Sequence, residues 1–596
     1  MYGTLANSLE YVAVHLAAAV AAAGISDLFG AELVILLAVY LAARKCANFG
    51  EQFFERIETL GTQFAGRTVA APLALAGAVI IVRLAILPVH PIPHPIVVDE
   101  FSHLLLADTL AHGRLTNPTH PLWRSFETIH TLQRPSYNSM YFPGPALLLL
   151  LGQIIWGQPW FGVLFGTAAL CALVCWALRA WFPPRWALLG GILTALHIGI
   201  VSYWMDGYWG GTFAAIGGVL LLGAFARVQK MKSPFRNSAL MALGIGMLAN
   251  SRPYEGIALC IPVGVRLAGW LFENDPGQKL LRSIVPMALC LAVMGASMGI
   301  YFKAVTGGPA LLPYTVNEQQ YGWPTTLPWT EVRNVSHDRP EFTDYFLYEL
   351  DQRSYFWTLT KFIGGTAIRL QNDWRFFVGP ALTLPLLFLP RIYRNHRLRF
   401  LLFAGAIVIF AAFSESHFPH YIAPALLPIV AACVQGYRHL RQGHGEKQQL
   451  GLRLSRAIPL VVMATVALRV AATPLHLPHH YLAGYASWCC SDPGSVDRHA
   501  VERVLPPGRH LLLVRYRPDH RWMNDWVHNG ADIDGARVVW ARELGGETDA
   551  KLLAYFKDRQ VWLVEPDAVP PRVTPYSSGP KENLSANKLP QRTELP

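Results

Sequence analysis

Charge is what this sequence has least of. Only 15% of its 596 residues are Asp, Glu, Lys or Arg, against about 25% in a soluble globular chain. Hydrophobic residues make up 52%, and they recur in runs of roughly 16 to 21 residues, which reads as a polytopic α-helical membrane protein. The apolar runs are nearly free of charge at mid-depth. A conducting or transporting path, which needs ionisable groups there, is disfavoured. Disulfide chemistry is thin too. Most of the eight cysteines fall inside apolar runs. The exception is the adjacent pair Cys489-Cys490, and neighbours rarely bridge each other, so distant pairing or free thiols are expected. No basic leader precedes the first apolar run, so no cleavable signal peptide is expected. The chain has no glycine fingerprint for a dinucleotide, no phosphate loop and no internal repeat. The net charge of +11 does not mean nucleic acid. The basic residues cluster in short loops between apolar runs, as the positive-inside rule requires. Eighteen Trp and twenty-two Tyr suit interfacial belts.

The charges orient the runs. Leu9 to Ala23 and Glu32 to Ala43 are short and form either a spanning hairpin or interfacial segments. Arg44, Lys45, Arg56 and Arg67 mark a cytoplasmic connector. Val69 to Val89 then crosses outward into a polar loop, Val97 to Pro143. Treating Phe142–Trp156 and Trp357–Leu370 as interfacial makes every later basic cluster cytoplasmic. These clusters are Arg179/Arg185, Arg227 to Arg236, Lys279/Arg282, Arg391 to Arg399 and Arg438 to Arg456. A second outer loop, 306–355, holds seven acids against three arginines. The expected organisation is an N-terminal hairpin and connector (1–67), then a membrane domain (68–474) with outer loops 90–143 and 306–355. A small α/β domain on the outer side (475–566) and a disordered tail (567–596) follow. About 11 to 13 spans are expected. In the α/β domain, His510 to Arg515, Arg537 to Ala541 and Val561 to Glu565 read as short buried strands. Ser495 to Leu505 and Glu547 to Lys557 read as helices, giving a mainly parallel sheet.

The first outer loop opens on Asp99-Glu100, an acidic pair placed where a span meets water. Moving a sugar off a phosphate carrier needs a carboxylate to deprotonate the acceptor. It also needs cationic or polar donors for the departing phosphate. Asp99 is the candidate base, with Glu100 beside it as orienting partner. The bland alternative is that the pair caps the helix starting near Phe101; capping and catalysis are compatible. For the phosphate, Arg252 stands at the outer end of a run, next to Pro253. His420 and Tyr421 come second, then Arg353, Lys361 and Arg375. Arginine suits phosphate because its planar fork binds two oxygens. The loop also holds His90, His94, His103, His112, His120 and His130. His103 lies one helical turn after Asp99. A divalent-metal site built from Asp99, His103 and Asp206 is one option, although the spacing matches no established metal signature. Most of these histidines read as interfacial polar residues, and His197 as a satisfied interior histidine.

An outward span, then Asp-Glu, then an amphipathic helix ending in a small-residue turn (DEFSHLLLADTLAHGRL) resembles the first outer loop of the GT-C glycosyltransferases. This group includes the protein-mannosyl and aminoarabinose transferases. The stretches NSRPYEG (Asn250 to Gly256) and PHYIAPA (Pro419 to Ala425) also resemble bacterial members of the group. The resemblance covers roughly Arg67 to Pro474. It implies a polytopic enzyme that takes a sugar from a polyprenyl-phosphate donor by an inverting reaction, with Asp99 as base. Asp206, in SYWMDGYWGG, occupies a place similar to a further acid of the family; the alternative is an Asp-Gly turn. Many relatives carry a Glu before the apolar segment after the first loop. This chain reads MYFPGPALL there, with no acid, which weakens any metal role. The implied acceptor is a lipid, glycan or protein, and the implied location the bacterial inner membrane with the C-terminal domain periplasmic. The competing readings are a lipid-linked sugar flippase or transporter, and an O-antigen ligase or polymerase.

Overall fold

The computed structural model describes residues 28–45, 50–273, 275–325, 330–333, 335–414, 418–442, 446–472 and 498–576. The Leu9 to Ala23 run, the Cys489-Cys490 pair and most of the expected tail lie outside these residues. The chain divides into two compact units. One comprises Met1–Pro93, Trp160–Ala296 and Ser354–Cys490. The other comprises His94–Pro159, Ser297–Arg353 and Ser491–Pro596, so most of each outer loop falls with the C-terminal residues, while 90–93 and 354–355 belong to the first unit.

The first unit is helical. Its central helix, Thr212–Val228, is buried at every residue but Arg227, as a segment apolar on all faces must be. The following helix, Pro234–Ala249, returns alongside it at very close range. A Cβ at Gly244 would sit 2.6 Å from the Gly217 carbonyl oxygen and 2.7 Å from the Leu221 nitrogen. Small residues at these positions let the two backbones touch. Four described helices are long and apolar enough to cross a membrane: Trp160–Leu178, Pro253–Phe272, Pro276–Thr306 and Gln448–Ala471. A fifth is counted if the pair Glu51–Ala65 and Ala70–Ala85, bent by 115°, makes one span. The expected 11 to 13 therefore shrinks among the described residues. Several of the apolar runs become helices such as Thr212–Val228 and Pro143–Trp156, of 17 and 14 residues. Some end in Gly or Pro turns or a π turn (Ala195–Gly199) before reaching full span length.

The basic connector is also more than a loop. Glu51–Ala65 is a 15-residue helix whose Phe53, Ile57 and Leu60 are exposed, at the spacing of one helical face. Its Glu58 carboxylate accepts a two-pronged bond from Arg441 (3.0 and 3.1 Å) and another from Arg456 (3.1 Å). The interior is less free of charge than the sequence implies. Glu32, His197 and Arg469 are all buried in helical segments, and the Glu32 carboxylate accepts the Ala381 N–H at 3.2 Å.

The second unit is built on the helix Val98–Ala111 and a small antiparallel ladder, β1 (Thr131–Leu132) with β2 (Asn138–Ser139). Its C-terminal sheet has β3 (His510–Val514), β4 (Val538–Arg542), β5 (Gln560–Glu565) and β6 (Arg572–Pro575) in the order β4-β3-β5-β6. The first three pair in parallel, as strands alternating with helices require, and β6 adds antiparallel to β5. Strand β6 lies beyond the expected domain end at 566, inside what is expected as a disordered tail from 567. The prolines around Val573 conceal an edge strand, where proline is tolerated because its missing N–H can face away from the ladder. Strand β3 is buried on both faces. Leu512 and Val514 pack with Val501, Val527 and Trp540. Leu511 and Leu513 pack with Leu105, Phe126 and Tyr137 of the first loop. The sheet and that loop thus share one hydrophobic core and are not separate domains. Buried charges tie them further. Arg542 reaches Glu341 at 2.5 Å and Asp525 at 3.4 Å, and Asp525 accepts hydrogen bonds from Thr128 and Tyr516, both 2.5 Å.

Candidate active site

The helix Val98–Ala111 begins where Val97 turns extended. Valine has no side-chain acceptor for the first-turn N–H groups, and the acidic pair divides the work. Glu100, in the third helical position, turns back and accepts the Ile96 N–H at 2.8 Å and the Val97 N–H at 3.2 Å. This is half of a capping box, and Glu100 is buried by it. Asp99 points elsewhere. Its side chain keeps 20% of its surface exposed.

Three residues meet Asp99. The Tyr141 hydroxyl donates to Asp99 Oδ1. His130 Nδ1 lies 3.0 Å from that hydroxyl and 3.6 Å from Asp99 Oδ1. The His103 ring stacks on the Tyr141 ring, centroids 4.5 Å apart. Since the tyrosine proton goes to the carboxylate, the hydroxyl oxygen must accept, and Nδ1 of His130 carries the hydrogen. Burial works to raise the Asp99 carboxyl. The neighbouring His130, the Tyr141 hydroxyl and His103 together outweigh that and hold it well below the usual carboxylate range. The same contact and burial push the Tyr141 phenol well above its ordinary value. The pair is therefore a carboxylate and a neutral phenol.

His130 is placed by strain and clamps. Its φ is 63°, a left-handed conformation that costs a non-glycine residue about 1–3 kcal/mol and is retained where surroundings impose it. Its carbonyl accepts from Ser102 Oγ at 2.6 Å and from the Met140 N–H at 3.1 Å. Ser102 also bonds Ser139 Oγ at 2.7 Å. Helix and ladder are locked together so that His130 and Tyr141, on the two arms flanking the ladder, close on Asp99. On its far side, His130 Nε2 is 2.9 Å from the Tyr345 hydroxyl. Tyr345 belongs to the helix Pro340–Ser354 and packs against Trp323 and Trp522.

The other sequence-derived residues fall in two places. Asp206 belongs to the first unit, where it is buried in an ion pair with Arg83 (2.8 Å) and with His90 Nε2 at 3.1 Å. Arg83 also donates to the His90 and Pro91 carbonyls and lies over the Trp160 ring. This anchors the end of the helix Ala70–Ala85. Among the described residues no three His, Cys, Asp or Glu side chains are grouped as a metal site. The set Asp99, His103 and Asp206 is not one, because Asp206 is committed to Arg83 and His90. Of the phosphate candidates, Arg252, His420 and Tyr421 do come together in the first unit. The Arg252 guanidinium lies 3.8 Å from the Tyr421 ring centroid, and the ring of His420, hydrogen-bonded to the Tyr203 hydroxyl at 3.1 Å, is 5.0 Å from that of Tyr421. Arg353 belongs to the second unit and is engaged with the loop it braces, donating to the Thr325 carbonyl and to Thr330. Lys361 donates to Ser354 Oγ at 3.0 Å, and Arg375 is buried in the helix Leu359–Phe377.

Tyr141 and Tyr345 were absent from the sequence-derived set, and His130 was one histidine among six. Nothing local marks them. Tyr141 lies 42 residues from its carboxylate and Tyr345 lies 215 residues from His130.

No protein-family model and no curated protein sequence matches the chain. Solved structures similar to it include the apo oligosaccharyltransferase of Archaeoglobus fulgidus, at 13% identity and a TM-score of 0.45, covering 84% of this chain and 69% of that one. The apo form of ArnT from Cupriavidus metallidurans is similar at 14% identity and a TM-score of 0.44, covering 83% and 92%. Its complex with undecaprenyl phosphate gives 13% and 0.41 over the same shares. At such identities no residue role transfers from these proteins to this chain.

Proposed function

We propose that the protein is a membrane glycosyltransferase of GT-C type. It takes a sugar from a polyprenyl-phosphate donor and passes it to a lipid, glycan or protein acceptor at the non-cytoplasmic face, with Asp99 as base. The observation that supports this most is the state of Asp99. It is kept ionised by Tyr141 and His130, yet a fifth of its side chain remains open to an incoming nucleophile.

The chemistry follows from that state. An acceptor hydroxyl placed against Asp99 loses its proton to the carboxylate as its oxygen attacks the anomeric carbon. The bond from that carbon to the phosphate oxygen breaks, and its electrons leave with the polyprenyl phosphate. A single displacement of this kind inverts the anomeric centre. Glu100 is assigned to the helix start that aims Asp99, and Asp206 to anchoring through Arg83. Within its own unit, Arg252 beside His420 and Tyr421 offers the charge-assisted donors that a phosphate monoester needs.

The test is Asp99→Asn in purified protein given a polyprenyl-phosphoryl sugar. The substitution keeps the side chain's shape and removes its basicity. Transfer is expected to fall by about 10²- to 10⁴-fold while the melting profile is preserved. Normal turnover in that variant would remove Asp99 from the role of base.

A further inference from the structure

The segment RIYRNHRLRF, from Arg391 to Phe400, carries four arginines and a histidine and no acid. It starts the helix His396–Ala412. Asn395 caps that helix: its side chain accepts the Arg397 N–H at 3.1 Å. Its carbonyl accepts the Leu398 and Arg399 N–H groups at 3.1 and 2.9 Å. A helix start is the positive end of the helix dipole, where acids are favourable and cations are not. This one has no acid in its first turn and holds His396, Arg397 and Arg399 there instead. The positive-inside rule explains why basic residues lie near a membrane. It does not explain why they converge on a cavity.

A cavity of about 500 Å³ opens at this helix start, within the first unit. Arg394, Asn395 and Arg397 line one side of it. Trp181 and Phe182, just past the helix Trp160–Leu178, and Arg438, near the end of the helix Leu426–Leu440, line the rest. No Asp or Glu does. Among the described residues none of these three guanidiniums is paired with a carboxylate. Arg438 donates to Gln435 Oε1 at 3.0 Å, which fixes its direction, and its guanidinium lies 6.0 Å from the Phe182 ring centroid. Burial, and then the charge of Arg185, push the Arg438 guanidinium below its ordinary value. Cations held together in this way carry an electrostatic cost that a bound anion removes.

We infer that this cavity binds the phosphate headgroup of an anionic membrane lipid. Planar guanidinium forks suit phosphate oxygens, and the volume is that of a small-molecule site. The lipid source follows from position. Trp181 stands three residues beyond Trp160–Leu178, a helix long and apolar enough to cross a membrane, and tryptophan at such an end marks headgroup level. Basic pockets between helices at that level recognise anionic headgroups. The site shares no residue with the group Arg252, His420 and Tyr421, and it stands whether or not Asp99 is the base.

The test uses the full-length protein in neutral detergent. Phosphatidylglycerol, phosphatidylcholine and inorganic phosphate are added separately at one phosphate concentration. Native mass spectrometry counts retained lipid, and thermal scans read the melting temperature. The wild type should retain phosphatidylglycerol and melt higher with it, with no such gain from the other two. Arg397→Gln/Arg438→Gln should bind that lipid about tenfold or more weakly. Arg391→Gln/Arg399→Gln removes the same charge outside the cavity and should bind as the wild type does. Where the first pair yields no folded protein, Arg397→Lys/Arg438→Lys keeps the charge and should still weaken retention, because an ammonium cannot grip two oxygens at once. Undiminished retention in the cavity variants overturns the site. An equal loss in both glutamine pairs also overturns it, assigning the binding to the general charge of that face. A melting gain from inorganic phosphate as large as that from phosphatidylglycerol overturns the lipid assignment.

Discussion

At the scale of single residues, the site works by setting protonation states rather than by bringing charges of one sign together. Tyr141 is the clearest probe of this. Its hydroxyl and the neighbouring imidazole lower the Asp99 carboxyl against the effect of burial. Tyr141→Phe removes one donor and breaks the contact to His130, so the Asp99 value must rise. A base with a raised value loses its ionised fraction earlier as pH falls. The acid limb of a kcat/KM profile is therefore expected to move to higher pH in Tyr141→Phe, with the plateau reduced by less than in Asp99→Asn. An unmoved limb would mean that the tyrosine does not govern the carboxylate. The sequence made Asp99 legible because the residue opens a helix just after an apolar run, and local order is visible in sequence. Glu100 was legible for its alternative role, since a third-position glutamate is a capping signal. His130 and Tyr141 were not, because their meeting depends on how the ladder folds back on the helix.

At the scale of elements, close approach decides what the helices tolerate. The contact between Thr212–Val228 and Pro234–Ala249 leaves no room at Gly244. An added Cβ there would meet backbone atoms at 2.6 and 2.7 Å, and backbone cannot swing aside as a side chain can. Gly244→Leu is expected to reduce the yield of folded protein sharply and to lower its melting temperature, whereas Leu243→Ala, at a neighbouring exposed position, changes little. Size-exclusion profiles and thermal scans of the two variants check this. The sequence showed these segments as apolar and marked their ends with basic residues. It could not show which glycines face a neighbouring backbone. Nor did it show that the basic connector folds as the helix Glu51–Ala65, because its apolar residues are too sparse to stand out as a run and only their helical spacing betrays them. Arg83 was overlooked for a related reason. Inside an apolar run it reads as an isolated charge, and its partner Asp206 lies 123 residues away.

At the scale of the whole molecule, the second unit is held by a buried ion network. Arg542 is buried against Glu341 and Asp525. Arg542→Gln would leave two carboxylates without their cation in a dry core, a loss of about 3–5 kcal/mol. The pH dependence has a definite sign. Burial opposes ionisation of Asp525, but Arg542, His528 and the hydroxyls of Thr128 and Tyr516 hold its carboxyl at about 2. This lowered value contributes stability above the ordinary carboxylate range, and that stability is lost as pH falls through about 2. In Arg542→Gln the loss should begin at higher pH, and acid titration of the unfolding transition would reveal it; an unchanged acid midpoint would assign the stability to other contacts. The strands and their parallel pairing were legible from apolar runs alternating with helices. Their packing against the first outer loop was not, since Leu511 and Leu513 look alike whether they face a private core or a shared one.

That shared core has a consequence for how the protein is made. The Asp108 carboxylate, on the Asp99 helix, accepts the Ala531 N–H from 423 residues downstream, and Leu105 of the same helix packs under β3. A ribosome delivers the outer loop early and the strands that complete its core last. For most of synthesis the loop has Leu105, Phe126 and Tyr137 uncovered. A chain shortened before His510 would release such a loop permanently unfinished. Translation would then act as a timer, with the site around Asp99 maturing only once the final strands have emerged.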